Sequence, residues 1–238
     1  MVIHSDRGSE LISSQILRHS VTHLQCTPSL AGNLIRTPGS SEALGRLGKL
    51  LIGGEALPSA LAAQLRQILR GDLLNMYGPT ETTVWSATHL VREVNGTVPI
   101  GRPIANTEIH ILNDQLQPVA AGEPGEMLIG GEGVARGYLN RPELTAERFV
   151  ADPFRPRTDA RLYRTGDIGR YREDGTIEFL GRADHQVKLH GHRVELGEIE
   201  VVLSQHQTVR ECVVHVWEAG PGDRRSEFYR RCELAPRP

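Results

Sequence analysis

Asn75-Met76-Tyr77-Gly78-Pro79-Thr80-Glu81 places an amide, an aromatic face, a tight turn, a hydroxyl and a carboxylate within one short segment. Gly78 and Pro79 bend the chain, so side chains on either side of the bend can converge on one ligand. A tyrosine ring can stack on a purine, and an amide can hydrogen-bond its edge. A threonine hydroxyl beside a carboxylate can hold a metal ion and phosphate oxygens. Taken alone, the segment reads better as a plain turn with Thr80 capping a helix. Its surroundings decide otherwise.

Upstream the pattern is α/β. KLLIGG (49–54) is an apolar run closed by a glycine pair, and VTHLQC (21–26) stops before Pro28; both suit short buried strands. Between them and the turn, Pro58 stands where the first turn of a helix tolerates it. Leu61, Leu65, Ile68 and Leu69 recur at helical spacing through Arg70, and Gly71 is placed to end that helix. GRLGKLL (45–51) is not a phosphate loop, because its glycine spacing is wrong and no Ser or Thr follows Lys49.

Downstream, from about residue 98, the pattern turns to β. TEIHILND, GEMLIGG and GTIEFLGR are short segments separated by turn residues. Glu173-Asp174-Gly175, between RYR and TIEFL, predicts a hairpin. A further helix is expected after Gly197, with Ile199, Val202 and Leu203 on one face. Glu195, Glu198 and Glu200 crowd its start, where the helix dipole favours carboxylates. VRECVVHVW (209–217) then reads as a strand. RRSEFYRRCELAPRP, at the end, is rich in Arg and Pro and has no period. It reads as read-through from a frameshift or as an abrupt truncation, which resequencing of the gene tests.

The 238 residues, 39% hydrophobic and 24% charged, suffice for one large core or two smaller ones. No apolar run approaches transmembrane length, and MVIHSDRGSE carries charge where a signal peptide needs an apolar core. A cytoplasmic protein with no membrane partner is expected. The net charge is −2 with Arg and Lys dispersed, which leaves no basic stripe for nucleic acid. Cys26, Cys212 and Cys232 fit no zinc or CxxC spacing.

GEMLIGGEGVARGYLNRPELTAERF (125–149) and YRTGDIGRYREDGTIEFLGRADHQVKLHGHRVELGEIE (163–200) follow the turn. With NMYGPTE they resemble, in order and with sensible gaps, the later core motifs of adenylate-forming enzymes. LGEIE favours the amino-acid-activating adenylation domains of non-ribosomal peptide synthetases over acyl-CoA ligases and luciferases. The resemblance spans roughly Leu11 to Val216. It implies an α/β class: a partial adenylate-forming (ANL-type) fold of α/β layers plus a small β-rich subdomain, then the start of a small α+β subdomain. Residues 1–183 would be a partial large N-terminal subdomain, and 184–238 the hinge and a truncated C-terminal one.

The resemblance also implies roles. Tyr77 would stack on adenine, Asn75 would face its amino edge, and Gly78 would shape the turn. Thr80 would meet the α-phosphate of ATP, and Glu81 would bind Mg2+; these two are the catalytic candidates. Asp167 would accept from both ribose hydroxyls as an ionised carboxylate, against the plainer reading of a turn residue after Gly166. Arg182 would reach the ribose or phosphate, against the plainer reading of a solvated charge. Asp184 falls at the hinge, where a few torsions absorb a rotation. Lys188 and Gly191 lie on the loop that would face the phosphopantetheine thiol of a peptidyl carrier protein domain. His190 and His192 read as loop residues and not as metal ligands; His190 stands where the family usually has Arg.

Gln25, Leu51, Gly53, Met76, Val84 and Trp85 match the positions that line the amino-acid site. Trp85 and Met76 would fill most of it, leaving room for glycine or another small amino acid; Val84 and Trp85 also read as ordinary core residues. The phosphate loop, the aspartate for the substrate amino group and the late catalytic lysine are expected outside these residues. Weak or no activity is therefore expected of the chain alone. Two other readings stay open: an acyl- or aryl-CoA ligase relative, and a degenerate remnant that at most binds nucleotide or a partner protein.

Overall fold

The computed structural model describes residues 11–156, 158–183, 186–189, 192–206, 209, 211–220 and 223–231. The chain forms two compact units that divide after Ala183.

The first unit opens with α1 (Ile12–Arg18), β1 (His23–Cys26), α2 (Pro28–Arg36), α3 (Ser40–Gly45), β2 (Lys49–Gly53), α4 (Ser59–Ile68) and β3 (Asp72–Tyr77). β1, β2 and β3 run parallel, so the helices between them are crossovers. β4 (Ala87–Leu90) and β5 (Arg102–Pro103) extend the sheet antiparallel in the order β1-β2-β3-β4-β5. Local chemistry starts α2: the Thr27 side chain accepts from the Leu30 N–H at 3.2 Å, and Pro28 occupies the first turn. Leu44, Leu47, Leu50, Ile52, Leu65 and Leu73 are fully buried between these helices and the sheet. Each such burial stabilises by about 1.5–3 kcal/mol.

Gly71 does not end α4. The helix stops at Ile68 with Leu69 already extended. Gly71 is needed for a close approach, because a Cβ there would lie 2.2 Å from the Gly48 carbonyl oxygen. The segment 45–51 runs from helix into strand, the reverse of a phosphate loop, as its spacing indicated.

A second, antiparallel sheet follows: β6 (Thr107–Leu112), β7 (Gly125–Gly131), α5 (Pro142–Arg148), β8 (Phe149–Ala151), β9 (Arg161–Tyr171) and β10 (Ile177–Arg182). Its order is β10-β9-β7-β6, with β8 on β9. The expected hairpin joins β9 to β10, with Gly175 at φ 74° and Arg172 N–H on the Thr176 carbonyl. Two bonds between residues 100–101 and Ile177 join the sheets. Tyr77 and Ala87 from the first sheet share a core with Ile109, Ile111, Met127 and Ile129 from the second.

The second unit contains the hairpin β11 (Gln186–Leu189) and β12 (His192–Glu195), then α6 (Leu196–Ser204), then β13 (Glu211–Gly220) and β14 (Asp223–Arg231). Glu200 does not serve the start of α6; its carboxylate accepts the Val214 N–H at 2.9 Å and ties the helix to β13. The reading of the last stretch as patternless is corrected in part, since Asp223–Arg231 pair antiparallel with Glu211–Gly220.

Candidate functional site

Side chains alternate across a strand, and β3 uses this to serve two compartments. Asn75 and Tyr77 share one face. Met76 shares the other with Gly53, its register partner on β2, and with Leu51 and Gln25, which are partners of each other. Asn75 and Tyr77 therefore sit on the opposite face of this sheet from four of the amino-acid-pocket candidates, at the C-terminal ends of its parallel strands, where open α/β sheets bind ligands.

On the first face, Tyr77 and Asp167 meet. They are 6% and 3% exposed, and the Tyr77 hydroxyl donates to Asp167 Oδ2 at 2.6 Å. Arg182 Nη1 pairs with Asp167 Oδ1 at 2.5 Å, and its Nη2 donates to the Thr165 carbonyl at 3.1 Å. Burial first, and the Asp167 charge second, push the Tyr77 phenol well above its ordinary range, so it stays a donor. Thr165 Oγ1 accepts the Asp167 N–H at 2.9 Å and donates to the Met127 carbonyl at 2.7 Å, which fixes the strand beneath the cluster. Asn75 is buried, its amide donating to the Pro99 carbonyl at 2.8 Å. Asp167 is thus mid-strand in β9 and not a turn residue, and Arg182 is only 11% exposed and not a solvated charge.

The bend itself is a 3-10 turn over Thr80–Thr82, and the preceding residue is Pro79, so Thr80 is not a capping residue. Gly78 has no room for a side chain: a Cβ would lie 2.5 Å from the Val84 carbonyl, because Ser86 N–H returns to the Tyr77 carbonyl at 2.7 Å. Buried Thr82 and Ser86 exchange a 2.6 Å hydroxyl bond across the loop. Thr80 is exposed beside half-buried Glu81. Glu81 Oε1 accepts from the Tyr138 hydroxyl at 2.6 Å.

On the other face, the Trp85 indole covers Gly53; a Cβ at 53 would lie 2.4 Å from the ring. Trp85 Nε1 reaches Gln25 Oε1 at 3.3 Å, and Thr88 Oγ1 contacts Met76 Sδ at 3.2 Å. Thr83 and Val84 have φ of 62° and 70°. Two successive branched residues in the left-handed region store backbone strain of about 1–3 kcal/mol each. Val84 is 55% exposed and is not a core residue. Asp184 and Gly191, like His190, lie outside the described residues; Lys188 lies on β11 and His192 on β12, so these two are strand residues and not the loop residues expected.

Sequence reasoning assigned no role to Tyr138, Thr165 or Ser86. Tyr138 lies 57 residues from its partner Glu81, and no periodicity carries information over that separation. Among the described residues no three His, Cys, Asp or Glu side chains gather to hold a metal, and no helix is long and apolar enough to cross a membrane. Two open hollows, of about 540 and 660 Å³, lie elsewhere and contain none of these side chains.

The family profile described as AMP-binding enzyme matches residues 2–139. A dimodular nonribosomal peptide synthase of Bacillus subtilis (strain 168) is 47% identical over 224 residues, covering 94% of this chain and 9% of the relative. A holo NRPS protein containing adenylation and PCP domains, solved with a vinylsulfonamide inhibitor, superposes with a TM-score of 0.88 at 31% identity; the match covers 97% of this chain and 41% of the other. A four-domain nonribosomal peptide synthetase solved with AMP and glycine superposes with a TM-score of 0.68 at 39% identity, over 94% of this chain and 17% of the other. The chain therefore spans a small part of the length of the relatives it matches.

Proposed function

The chain belongs to the AMP-binding enzyme family of adenylate-forming ligases, and from that membership we propose that it binds ATP and a small amino acid for aminoacyl-AMP formation in non-ribosomal peptide synthesis. The observation that carries the reading is the buried Tyr77–Asp167–Arg182 cluster beside the Thr80–Glu81 turn. An ionised carboxylate accepts up to about four donors, so the ribose hydroxyls join Tyr77 and Arg182 on Asp167. The adenine base packs against Tyr77 with its amino edge toward Asn75, and the α-phosphate meets Thr80.

Magnesium suits the donor set. No three metal-binding side chains gather among the described residues, and Mg2+ is commonly held by one or two carboxylates plus phosphate and water oxygens. Glu81 is the carboxylate we assign to it. When bound, the ion neutralises charge on the phosphates; this chain's own part is to hold nucleotide and carboxylate in register.

Glycine is the amino acid we assign. Trp85 lies on Gly53, which removes the space a larger side chain needs, and a similar four-domain protein was solved with AMP and glycine. Transfer of the activated amino acid to a carrier-protein phosphopantetheine is the accompanying step, with Asp184 as the hinge residue and Lys188 and Gly191 assigned to face the thiol. Structural relatives that join adenylation and PCP domains support it.

Calorimetric titration of the purified chain tests the reading. AMP binds, and Asp167→Ala and Tyr77→Ala abolish binding. A non-hydrolysable glycyl-AMP mimic binds more tightly than its phenylalanyl counterpart. A folded chain that binds no AMP contradicts the proposal. Tyr77→Phe separates two roles of the ring: stacking survives it, whereas anchoring through the hydroxyl does not.

A further inference from the structure

The loop after β7 grips the Thr80–Glu81 turn at several points. Ala135 N–H donates to the Glu81 carbonyl at 2.9 Å, and Thr83 Oγ1 donates to the Gly133 carbonyl at 2.8 Å. Gly133 passes so close that a Cβ would lie 2.9 Å from the Thr82 carbonyl. Arg161 on β9 holds the far side of this loop through the carbonyls of Ala135 and Arg136. At the loop's end, Tyr138 turns its hydroxyl onto Glu81 Oε1 at 2.6 Å, a distance typical of a hydrogen bond to a charged acceptor.

Tyr138 is itself fixed. Its ring stands edge-on to Phe149, with centroids 5.4 Å apart. Its N–H donates to Thr145 Oγ1 at 2.9 Å, and that hydroxyl also engages the Arg141 carbonyl at 2.9 Å. Gly137, at φ 144°, lets the chain pass Thr145, where a Cβ would lie 2.4 Å from Cγ2. The Tyr163 hydroxyl lies 3.3 Å from that of Tyr138. Because Tyr138 commits its one proton to Glu81, it can only accept there.

We propose that Tyr138 is a positioning residue for Glu81: its hydroxyl holds the carboxylate in the orientation that receives the magnesium ion of the bound nucleotide. This rests on the metal role of Glu81 assigned above. Groups that orient a metal ligand from behind typically change metal affinity by about 10- to 100-fold when removed. A phenylalanine at 138 keeps the ring on Phe149 and deletes only the hydroxyl, so it isolates the effect.

The test is manganese(II) binding to the chain in the presence of α,β-methylene-ATP, read by electron paramagnetic resonance. Tyr138→Phe should weaken manganese binding by about 10-fold or more, leave binding of metal-free AMP unchanged, and add nothing further in a Glu81→Gln background. Thr145→Ala, which frees the Tyr138 backbone without touching the ring, should give a smaller loss in the same direction. Manganese affinity in Tyr138→Phe within about two-fold of the unsubstituted chain, below the effect expected of an orienting group, overturns the proposal. Glu81→Gln separates the two failures. Lost binding with Glu81→Gln but not with Tyr138→Phe removes the positioning role alone, whereas intact binding with Glu81→Gln removes the metal role on which it rests.

Discussion

The two faces of β3 hold their candidate site residues by different physics. On the face proposed for adenosine, Tyr77 and Asp167 are buried, Arg182 is 11% exposed, and the three are joined by short bonds to charged groups. Removing any one strands the others in low dielectric. On the face proposed for the amino acid, a single ring lies over a glycine, tethered by one 3.3 Å bond and delivered by a strained two-residue turn. The first arrangement cannot change piecemeal; the second can be retuned by one side chain.

The largest expected effect falls on the rigid face. Asp167→Ala leaves Arg182 and the Tyr77 hydroxyl buried without their shared partner and should cost about 3–5 kcal/mol of stability, read by urea denaturation. A loss no larger than that from a surface substitution would break the contrast. Next, Trp85→Ala should open the space above Gly53 and erode discrimination between glycyl- and alanyl-AMP mimics by about 1–3 kcal/mol, the usual worth of one methylene in a pocket. AMP binding should be unaffected, because the ring sits on the other face.

Cys26, on β1 next to Gln25, supplies a pH test. Burial raises its thiol to about 12 from an ordinary 9.0. The unfolded chain therefore loses this proton first. Stability is fully present below about 9 and falls as pH rises toward about 12, with a slope of at most about 1.4 kcal/mol per unit. Cys26→Ala should flatten that part of the profile. The smallest effect is a gain: Val84→Gly should relieve left-handed strain and stabilise by about 1 kcal/mol, while loosening Trp85 and blunting the preference for glycine. A destabilised Val84→Gly would mean the turn is not strained.

Much of this was legible in the residues, because it is local. The apolar run of KLLIGG, the Gly-Pro bend in NMYGPTE, the Glu173–Gly175 turn and the apolar face of α4 all act over a few residues. Gly71 misled, since a glycine after a helix and a glycine passing another backbone look alike until Gly48 is seen beside it. The Asp223–Arg231 strand was unreadable because its partner, not its own pattern, defines it. Within the site, the motifs identified Tyr77 and Asp167 separately, yet the 2.6 Å bond between them spans 90 residues. The hold of Tyr138 on Glu81 is a tertiary contact of the same kind.

The most direct measurement is a crystal structure of the chain with AMP. Both ribose hydroxyls should lie within hydrogen-bonding distance of the Asp167 carboxylate, with the base against Tyr77 and the phosphate at Thr80. AMP seated on any other surface, with the Tyr77–Asp167–Arg182 cluster untouched, would contradict it.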